Sequence, residues 1–205
     1  MKKTDNERKS FVKRNTNETK IKVEVNLDGK GKNSINTGLP FFDHMIQQLS
    51  KHSLIDIELN CLGDLHIDSH HTIEDVGWAL GKAFSEALGH KKGIKRYSSN
   101  YLPMDECLTR CCIDISGRPW LIWNVFLPSL AIKNIETEIF REFFQSFSQA
   151  AGFTLHIENL YGNNTHHIIE SCFKSLAISI KDAICIDPNN SENIPSTKGT
   201  LSGSD

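Results

Sequence analysis

Hydrophobic residues recur at helical spacing in two long stretches of the chain, and the two stretches match each other. The first stretch carries Ile73, Val76, Gly77, Leu80, Phe84, Ala87 and Leu88, and the second carries Ile169, Cys172, Phe173, Leu176, Ile180, Ala183 and Ile184. Both patterns are typical of an amphipathic helix. The first helix is predicted to stop at Gly89, a frequent C-cap residue. The second is predicted to end near Ile186, because Asp187-Pro188 cannot continue a helix.

The remaining pattern predicts further strands and helices, arranged to a similar plan before each of these helices. Apolar stripes predict helices over residues 41–52 and around Ile139–Phe147. Alternating or continuous apolar runs predict strands over 20–27, 54–59, 107–115, 120–126 and 153–157. A helix, then a strand, then a long helix therefore occurs in both halves of the chain.

This repeated plan predicts an internal duplication. Half-domains of about 90 residues would be marginally stable alone, so we expect them to pack around one shared core. The first half is assigned to residues 13–92 and the second to 93–187, with the basic stretch 91–97 as the seam. Residues 1–12 are predicted to be a disordered lead-in. The C-terminal tail is assigned to 188–205, and its polar residues 189–205 are predicted to be disordered apart from a possible anion-binding segment.

Composition excludes several classes of partner. The net charge of -2 and pI near 6.5 provide no basic field for nucleic acid or anionic lipid. No apolar run approaches the roughly 20 residues of a membrane span. The six cysteines form no C-x-x-C pair and the first residues lack an apolar signal region, which favours a reducing cytoplasm.

Candidate metal ligands occur where each long helix is predicted to begin, as His70-His71-x-x-Glu74 and again as His166-His167-x-x-Glu170. Residues four apart share a helix face, so the first His and the Glu of each copy form a chelating pair. The second His points about 100° away and cannot easily join that metal. If the halves face each other, each pair can receive the other half's second His. Site one is then His166, Glu170 and His71, and site two is His70, Glu74 and His167.

Each earlier helix offers one further ligand at a similar distance from its cluster, His44 for site one and Glu142 for site two. Four nitrogen and oxygen ligands with open positions favour Mn²⁺, Fe²⁺ or Co²⁺ over structural Zn²⁺. A single His-x-x-x-Glu is most often a surface pair, and only the duplication favours a metal site. The remaining histidines, His52, His66, His90 and His156, have no such support.

Three cations and a hydroxyl-rich segment form a second constellation. Arg96, Arg118 and Lys198 each lie in a loop that contains glycine, a placement typical of phosphate-binding residues. The segment Pro195-Ser196-Thr197-Lys198-Gly199 could wrap an anion. Each cation taken alone is more simply a surface residue, so spacing leaves a phosphate role about as open as a surface role.

The chain resembles the imidazoleglycerol-phosphate dehydratase family over nearly all of residues 14–201. The matching motifs are RNTNET (14–19), LDGKG (27–31), GLPFFDHM (38–45), GDLHIDSHHTIED (63–75), GIKRY (93–97), SGRP (116–119), LHI (155–157), HHIIE (166–170) and PSTKG (195–199). The resemblance implies an α+β fold of two similar halves, like domain 2 of ribosomal protein S5, each a four-stranded sheet with helices on one face. It also implies a 24-subunit homo-oligomeric shell with active sites between subunits, and two Mn²⁺ per site bound by the eight ligands paired above.

The resemblance further implies the elimination of water from D-erythro-imidazole-glycerol phosphate to give imidazole-acetol phosphate, a step of histidine biosynthesis. The departing proton lies on a carbon without an adjacent carbonyl, so a carboxylate alone would be too slow, and metals on the imidazole nitrogens supply the activation. Glu18 is the implied base. The implied phosphate ligands are Arg96, Arg118, Ser196 and Lys198.

Two residues depart from the family pattern. Ser69 stands where relatives usually have Asp, at a position that is not a ligand. Glu142 stands where many relatives have His, which leaves a hard-metal ligand in place but bears on the affinity of site two.

Two other readings of the residues stay open at this point. Two metals could instead activate water for hydrolysis of a phosphoester, which would release inorganic phosphate. A metal-storage or structural assembly is the non-catalytic alternative, and it would leave Arg96, Arg118 and Lys198 without a common ligand.

Overall fold

The computed structural model describes residues 8–201, which form strands and helices in a repeating order. The strands are β1 (Lys9–Asn15), β2 (Thr19–Asn26), β3 (Asn33–Asn36), β4 (Asp56–Gly63), β5 (Tyr97–Met104), β6 (Cys107–Asp114), β7 (Trp120–Asn124), β8 (Ala131–Ile132), β9 (Ile135–Glu136) and β10 (Thr154–Tyr161). The helices are α1 (Pro40–Ser53), α2 (His70–Leu88), α3 (Ile139–Ala151) and α4 (Thr165–Ala183). None of the helices within residues 8–201 is long and apolar enough to span a membrane.

The two halves share one sheet topology. The first sheet has the order β1-β2-β4-β3 and the second has the order β5-β6-β10-β7. In each sheet the last pair, β3 with β4 and β7 with β10, is parallel, whereas the other pairs are antiparallel. The short β8–β9 hairpin is an addition of the second half. This correspondence confirms the predicted duplication and the mixed α+β class.

The helices hold the two halves together. Alternate side chains of β2 and β6 are buried, and α2 and α4 cover those buried faces. Each long helix also packs against the earlier helix of the opposite half, α2 against α3 and α4 against α1. One continuous apolar cluster includes Ile73 and Phe84 of the first half and Phe143 and Phe173 of the second. The prediction of a single shared core is confirmed.

Two glycines allow the close approach of α2 and α3. A Cβ atom at Gly81 would lie 2.4 Å from the carbonyl oxygen of Phe147 and 3.0 Å from the Cβ of Ala150. A Cβ atom at Gly77 would lie 2.7 Å from the carbonyl oxygen of Phe143. Because the opposing atoms belong largely to backbone, they cannot rotate away, and the spacing of the two helices depends on the missing side chains.

Replacing Gly81 by Ala is therefore expected to destabilise the protein although Ala is the better helix former. The methyl group would overpack the α2–α3 contact, at a net cost of about 1–3 kcal/mol in the free energy of unfolding. Urea unfolding measures it as a lower midpoint, with Glu86→Ala on the exposed face of α2 as the control. An unchanged midpoint would mean that α3 shifts to accept the methyl group.

The N-terminal segment differs from the prediction. Residues 1–12 were expected to be disordered, but β1 begins at Lys9 and pairs with β2 along its length. Its outward positions carry lysines and an exposed Phe11, which hide the buried alternation of Ser10 and Val12 from a hydrophobic pattern. Residues 1–7 of the predicted lead-in lie outside the described residues.

The C-terminal tail is also more ordered than predicted over the residues described. The amide nitrogen of Gly93 donates to the carbonyl oxygen of Asn193 at 2.8 Å, and Lys91 Nζ donates to the carbonyl oxygen of Leu201 at the same distance. Leu201 itself is buried. The expectation of disorder is therefore wrong up to residue 201, because contacts with the seam between the halves fix a polar segment. Residues 202–205 lie outside the described residues.

Candidate active site

Both His-His-x-x-Glu clusters lie in the first turns of their helices, as predicted. The Asp68 side chain accepts a hydrogen bond from the backbone nitrogen of His70 at 2.8 Å. The Asn164 side chain accepts from the backbone nitrogens of His166 and His167 at 2.9 and 3.4 Å. These side chains satisfy amides that the first helical turn leaves unpaired, so they define where each helix starts. The clusters are thereby held at the helix ends.

Three of the four residues predicted for site one meet within the chain. Single ligand atoms of His44, His166 and Glu170 all lie within 4.8 Å of one another. Glu170 Oε2 lies 2.9 Å from His166 Nε2 and 3.5 Å from His44 Nε2. The packing of α1 on α4 brings His44 to the pair on α4. Two imidazole nitrogens and a carboxylate oxygen around one point suit a divalent transition metal.

Glu170 is the buried member of this group. Glu170 is 5% exposed. Lys174 lies one turn further along α4, and its Nζ is 2.6 Å from Glu170 Oε1. Burial raises the pKa of Glu170, but the hydrogen bonds from Lys174 and His166 outweigh it, and the pKa lies below its usual value. Glu170 is therefore ionised near neutral pH, as a metal ligand must be.

Three of the four residues predicted for site two, His70, Glu74 and Glu142, lie in one region but are less tightly grouped than those of site one. His70 Nε2 lies 3.6 Å from Glu74 Oε2. His70 and Glu142 line the same groove of about 570 Å³, because α3 packs on α2. Glu142 Oε1 accepts a hydrogen bond from Arg141 at 2.8 Å. Within residues 8–201, only the site-one group brings three possible ligand atoms to one point.

The second histidine of each cluster faces carboxylates of its own half. His71 Nδ1 lies 3.0 Å from Asp64 Oδ2 and His71 Nε2 lies 3.7 Å from Glu18 Oε1. The hydrogen bond to Asp64 raises the pKa of His71. His167 Nδ1 lies 2.8 Å from Glu106 Oε2. Neither ring belongs to the group of three ligands described above.

Glu18 lies in the turn between β1 and β2, and this turn is tied to α2. The Thr16 hydroxyl accepts from the backbone nitrogens of Glu18 and Thr19 at 3.1 and 2.9 Å. The Asp75 carboxylate of α2 accepts from Arg14 at 2.8 Å and from the Thr19 hydroxyl. The Glu18 side chain remains half exposed beside His71. Its carboxylate is thus held near the cluster while being open to a ligand.

Glu106 lies at the corresponding place in the second half, and the sequence reasoning missed it. It ends the β5–β6 turn just before β6, as Glu18 ends the β1–β2 turn just before β2. The hydrogen bonds from His167 and from the Asn164 backbone lower the pKa of Glu106 to about 2. Aligning the turns of the two halves would have identified it.

A second row of polar side chains follows the ligands along the helices. Gln48 Nε2 lies 3.3 Å from His44 Nε2, and His52 Nε2 lies 3.1 Å from Gln48 Oε1. With Lys174 on α4, these residues extend the site away from the helix ends. They were missed as well, although each follows a predicted ligand or its neighbour at the four-residue helical spacing.

The predicted phosphate residues lie around the seam and the tail. Arg96 is 8% exposed and is occupied, because Nε and Nη2 bind Asp114 at 2.7 and 3.1 Å and Nη1 donates to the Pro195 carbonyl at 2.8 Å. Arg118 is exposed, 4.0 Å from Asp114. The Ser196 hydroxyl accepts from the backbone nitrogen of Lys198 at 3.2 Å. Arg96 therefore anchors the segment that carries Ser196 and Lys198.

Comparisons with known proteins point to one family. The sequence profile described as imidazoleglycerol-phosphate dehydratase matches residues 37–180. Relatives with that name from Sinorhizobium fredii and Ruegeria pomeroyi are 54% and 53% identical, over 93% and 95% of this chain and 94% and 100% of theirs.

Solved structures agree with this match. The crystal structure of the dehydratase from Staphylococcus aureus superimposes with a TM-score of 0.80 at 33% identity, covering 87% of this chain and 99% of that one. The structure from Pyrococcus furiosus, in complex with (S)-C348, gives 0.79 at 30% identity, covering 92% and 99%. With two matching halves, paired His-His-x-x-Glu clusters and these relatives, the chain belongs to the imidazoleglycerol-phosphate dehydratase family, the hydro-lyases of histidine biosynthesis.

Proposed function

We propose that this chain dehydrates imidazole-glycerol phosphate at a site holding two Mn²⁺, bound by the two sets of four ligands named above. The observation that carries the proposal is the convergence of His44, His166 and Glu170 on one point. The donor set fits: neutral imidazole and carboxylate groups suit a six-coordinate divalent ion, and no thiolate lies in the group. His70, Glu74 and Glu142 provide the equivalent set on the opposite pair of helices.

The fourth ligand of each set is proposed to come from another subunit. His71 and His167 lie at helix ends, beside Glu18 and Asp105 and apart from the other half's cluster. The α4 end of one subunit facing the α2 end of another would give His71 to site one and His167 to site two at once. Neighbouring histidines on one helix would then bind neighbouring metals, so that one interface holds both ions. A 24-subunit shell is the proposed assembly.

Complementation between two inactive variants tests this arrangement. His71→Ala and His166→Ala are each expected to lose most turnover and to bind less Mn²⁺. The shells of the two variants are dissociated, mixed in equal amounts and reassembled. The mixed shells should recover about a quarter of the wild-type activity, because one site in four combines an intact α2 end with an intact α4 end. A mixture of His71→Ala with itself is the control. No recovery from reassembled mixed shells would show that each site belongs to one subunit.

The phosphate is proposed to bind between the seam and the tail. Arg118 is exposed and has only long contacts, with Asp114 at 4.0 Å and the Ser116 carbonyl at 3.5 Å, so it can bind a dianion. Arg96 would hold the tail and add its positive charge below the bound phosphate. Ser196 and Lys198 offer a hydroxyl and an ammonium in a segment already bent by Gly199 at φ +72°. Binding there would hold the tail over the substrate and exclude water from the reacting carbons.

Glu18 is the proposed base. The two ligand sets would hold Mn²⁺ ions, and these would supply Lewis-acid activation of the substrate imidazole, so that its neighbouring hydroxyl can leave. The Glu18 carboxylate is half exposed and close to His71 Nε2, so it borders the ion that His71 would bind. From there it can take the carbon-bound proton, and the resulting enol becomes the ketone. A cytoplasmic location is also proposed, supported by the six cysteines, all of which are free thiols.

A further inference from the structure

The second histidine of each cluster makes the same hydrogen bond through the same ring atom. A carboxylate oxygen lies 3.0 Å from His71 Nδ1 and another lies 2.8 Å from His167 Nδ1. An ionised carboxylate can only accept, so in both rings the proton of the neutral imidazole is held on Nδ1. The lone pair of each ring is then on Nε2, the atom that faces away from the anchoring residue.

The two carboxylates come from different places in the repeat. Asp64 follows Gly63 at the end of β4, and the residue that follows Gly162 at the end of β10 is Asn163. In the second half the contact comes instead from Glu106, in the turn before β6. A contact inherited passively from duplication would use the same position twice. The same bond to Nδ1 from two positions indicates that the bond itself is needed.

Glu106 is fixed from its other side as well. Its Oε1 accepts from the backbone nitrogens of Asn163 and Asn164 at 3.2 and 2.8 Å, leaving Oε2 for His167. Asp64 is held by its place in the chain, where its backbone nitrogen donates to the carbonyl oxygen of Glu18 at 3.1 Å. Each carboxylate therefore has one oxygen presented to a histidine in a constrained direction.

We propose that Asp64 and Glu106 are positioning residues that set the tautomer and the direction of His71 and His167, so that each Nε2 is presented to a metal ion. The inference rests on the metal-ligand roles proposed above for these histidines. A carboxylate on the far ring nitrogen also makes the ligand more basic, and removal of such a partner typically costs about 10–100-fold in metal affinity.

Glu106→Gln and Asp64→Asn test the two halves separately. In Glu106→Gln the amide oxygen can still accept from Asn163 and Asn164, which turns the NH₂ group toward His167 Nδ1. That nitrogen must then accept, the ring proton moves to Nε2, and the ligand position is blocked. Mn²⁺ titration of the metal-free full-length protein, followed by the electron paramagnetic resonance of free Mn²⁺, should show one of the two ions bound about 10–100-fold more weakly. Asp64→Asn should weaken the other ion by a different route, because the Asn oxygen can still accept from His71 Nδ1 but, being neutral, leaves the ring less basic than the carboxylate does.

Two measurements distinguish a positioning role from a folding defect. One is the unfolding temperature of each metal-free variant, which should equal that of the metal-free wild type, and the other is Mn²⁺ binding by a matched control variant. Glu158 lies in the same half of the chain as Glu106, and its carboxylate binds Arg110 and Asn124. The Glu158→Gln variant should therefore bind both Mn²⁺ as the wild type does. If Glu106→Gln does not fold, Asp64→Asn decides, because within residues 8–201 the Asp64 side chain is hydrogen-bonded to His71 alone. Asp64→Glu should restore part of the lost affinity.

The outcomes separate this inference from the proposed ligand sets. Wild-type Mn²⁺ affinity in both Asp64→Asn and Glu106→Gln, together with loss of one ion in His71→Ala and His167→Ala, would overturn the positioning role alone. Full Mn²⁺ binding in all four variants would overturn the ligand sets and the positioning role with them.

Discussion

Replacing Glu18 by Gln is expected to lower the turnover number by about 10²–10⁴-fold while Mn²⁺ and substrate still bind. The amide keeps the size and polarity of the side chain but cannot take a proton. Because the hydrogen bonds that anchor the turn run from backbone nitrogens to the Thr16 hydroxyl, and the Glu18 side chain is half exposed, the fold should be unaffected. Steady-state kinetics with the phosphorylated substrate measures the loss.

Glu24→Gln is the matched control for this prediction. Glu24 lies on the exposed face of β2, six residues from Glu18. Its variant should turn over at the wild-type rate. Turnover of Glu18→Gln within about threefold of wild type, with Mn²⁺ fully bound, would remove Glu18 from the base role.

Glu170→Gln is expected to remove most of the activity by a different route, the loss of one Mn²⁺. Glu170 gives the only negative charge among the three site-one ligands of its own subunit. The amide would also leave Lys174 without its negatively charged partner. The unpaired Lys174 ammonium would then repel a divalent ion at this site. We expect turnover to fall at least about 10²-fold and the metal content to fall by one ion per site.

Metal analysis after dialysis, with Mn²⁺ added back over a wide range, distinguishes weakened binding from a damaged site. High Mn²⁺ should restore part of the activity of Glu170→Gln but none of the activity lost in Glu18→Gln. Glu86→Gln, an exposed carboxylate on α2 paired with Lys82, is the control and should change neither quantity. Full metal content in Glu170→Gln would contradict its assignment as a ligand.

The long helices and their clusters were predictable because the apolar stripe and the spacing of the His and Glu residues follow the same helical period. The apolar stripe behind His70 and the matching stripe behind His166 fix the helix faces, so the directions of the neighbouring histidines follow from geometry. The assignment of His44 to the pair on α4 also agrees with the structure, since the repeat requires each earlier helix to contribute one ligand. Internal symmetry thus took the place of contact information.

The first strand, the ordered tail, Asp64 and Glu106 were missed because they lack such a period. β1 carries charged outward positions that mask its alternation, and the tail is fixed by contacts of Gly93 and Arg96 with backbone carbonyl groups, which no side-chain pattern reports. Asp64 and Glu106 act on histidines distant in sequence and do not occupy equivalent positions in the repeat. A comparison of the halves residue by residue finds Glu106 opposite Glu18 but leaves Asp64 unmatched.

With the ligand sets proposed above, the pairing of α1 with α4 and of α2 with α3 means that neither half of the chain provides a complete metal site by itself. A half-length chain would carry one chelating pair on its long helix and a ligand on its earlier helix aimed at a partner. Two such chains, packed helix to helix across a twofold axis, would bring each earlier helix to the partner's chelating pair. The covalent link at the seam allows the two copies to differ at corresponding positions, as the earlier helices do with His44 in α1 and Glu142 in α3.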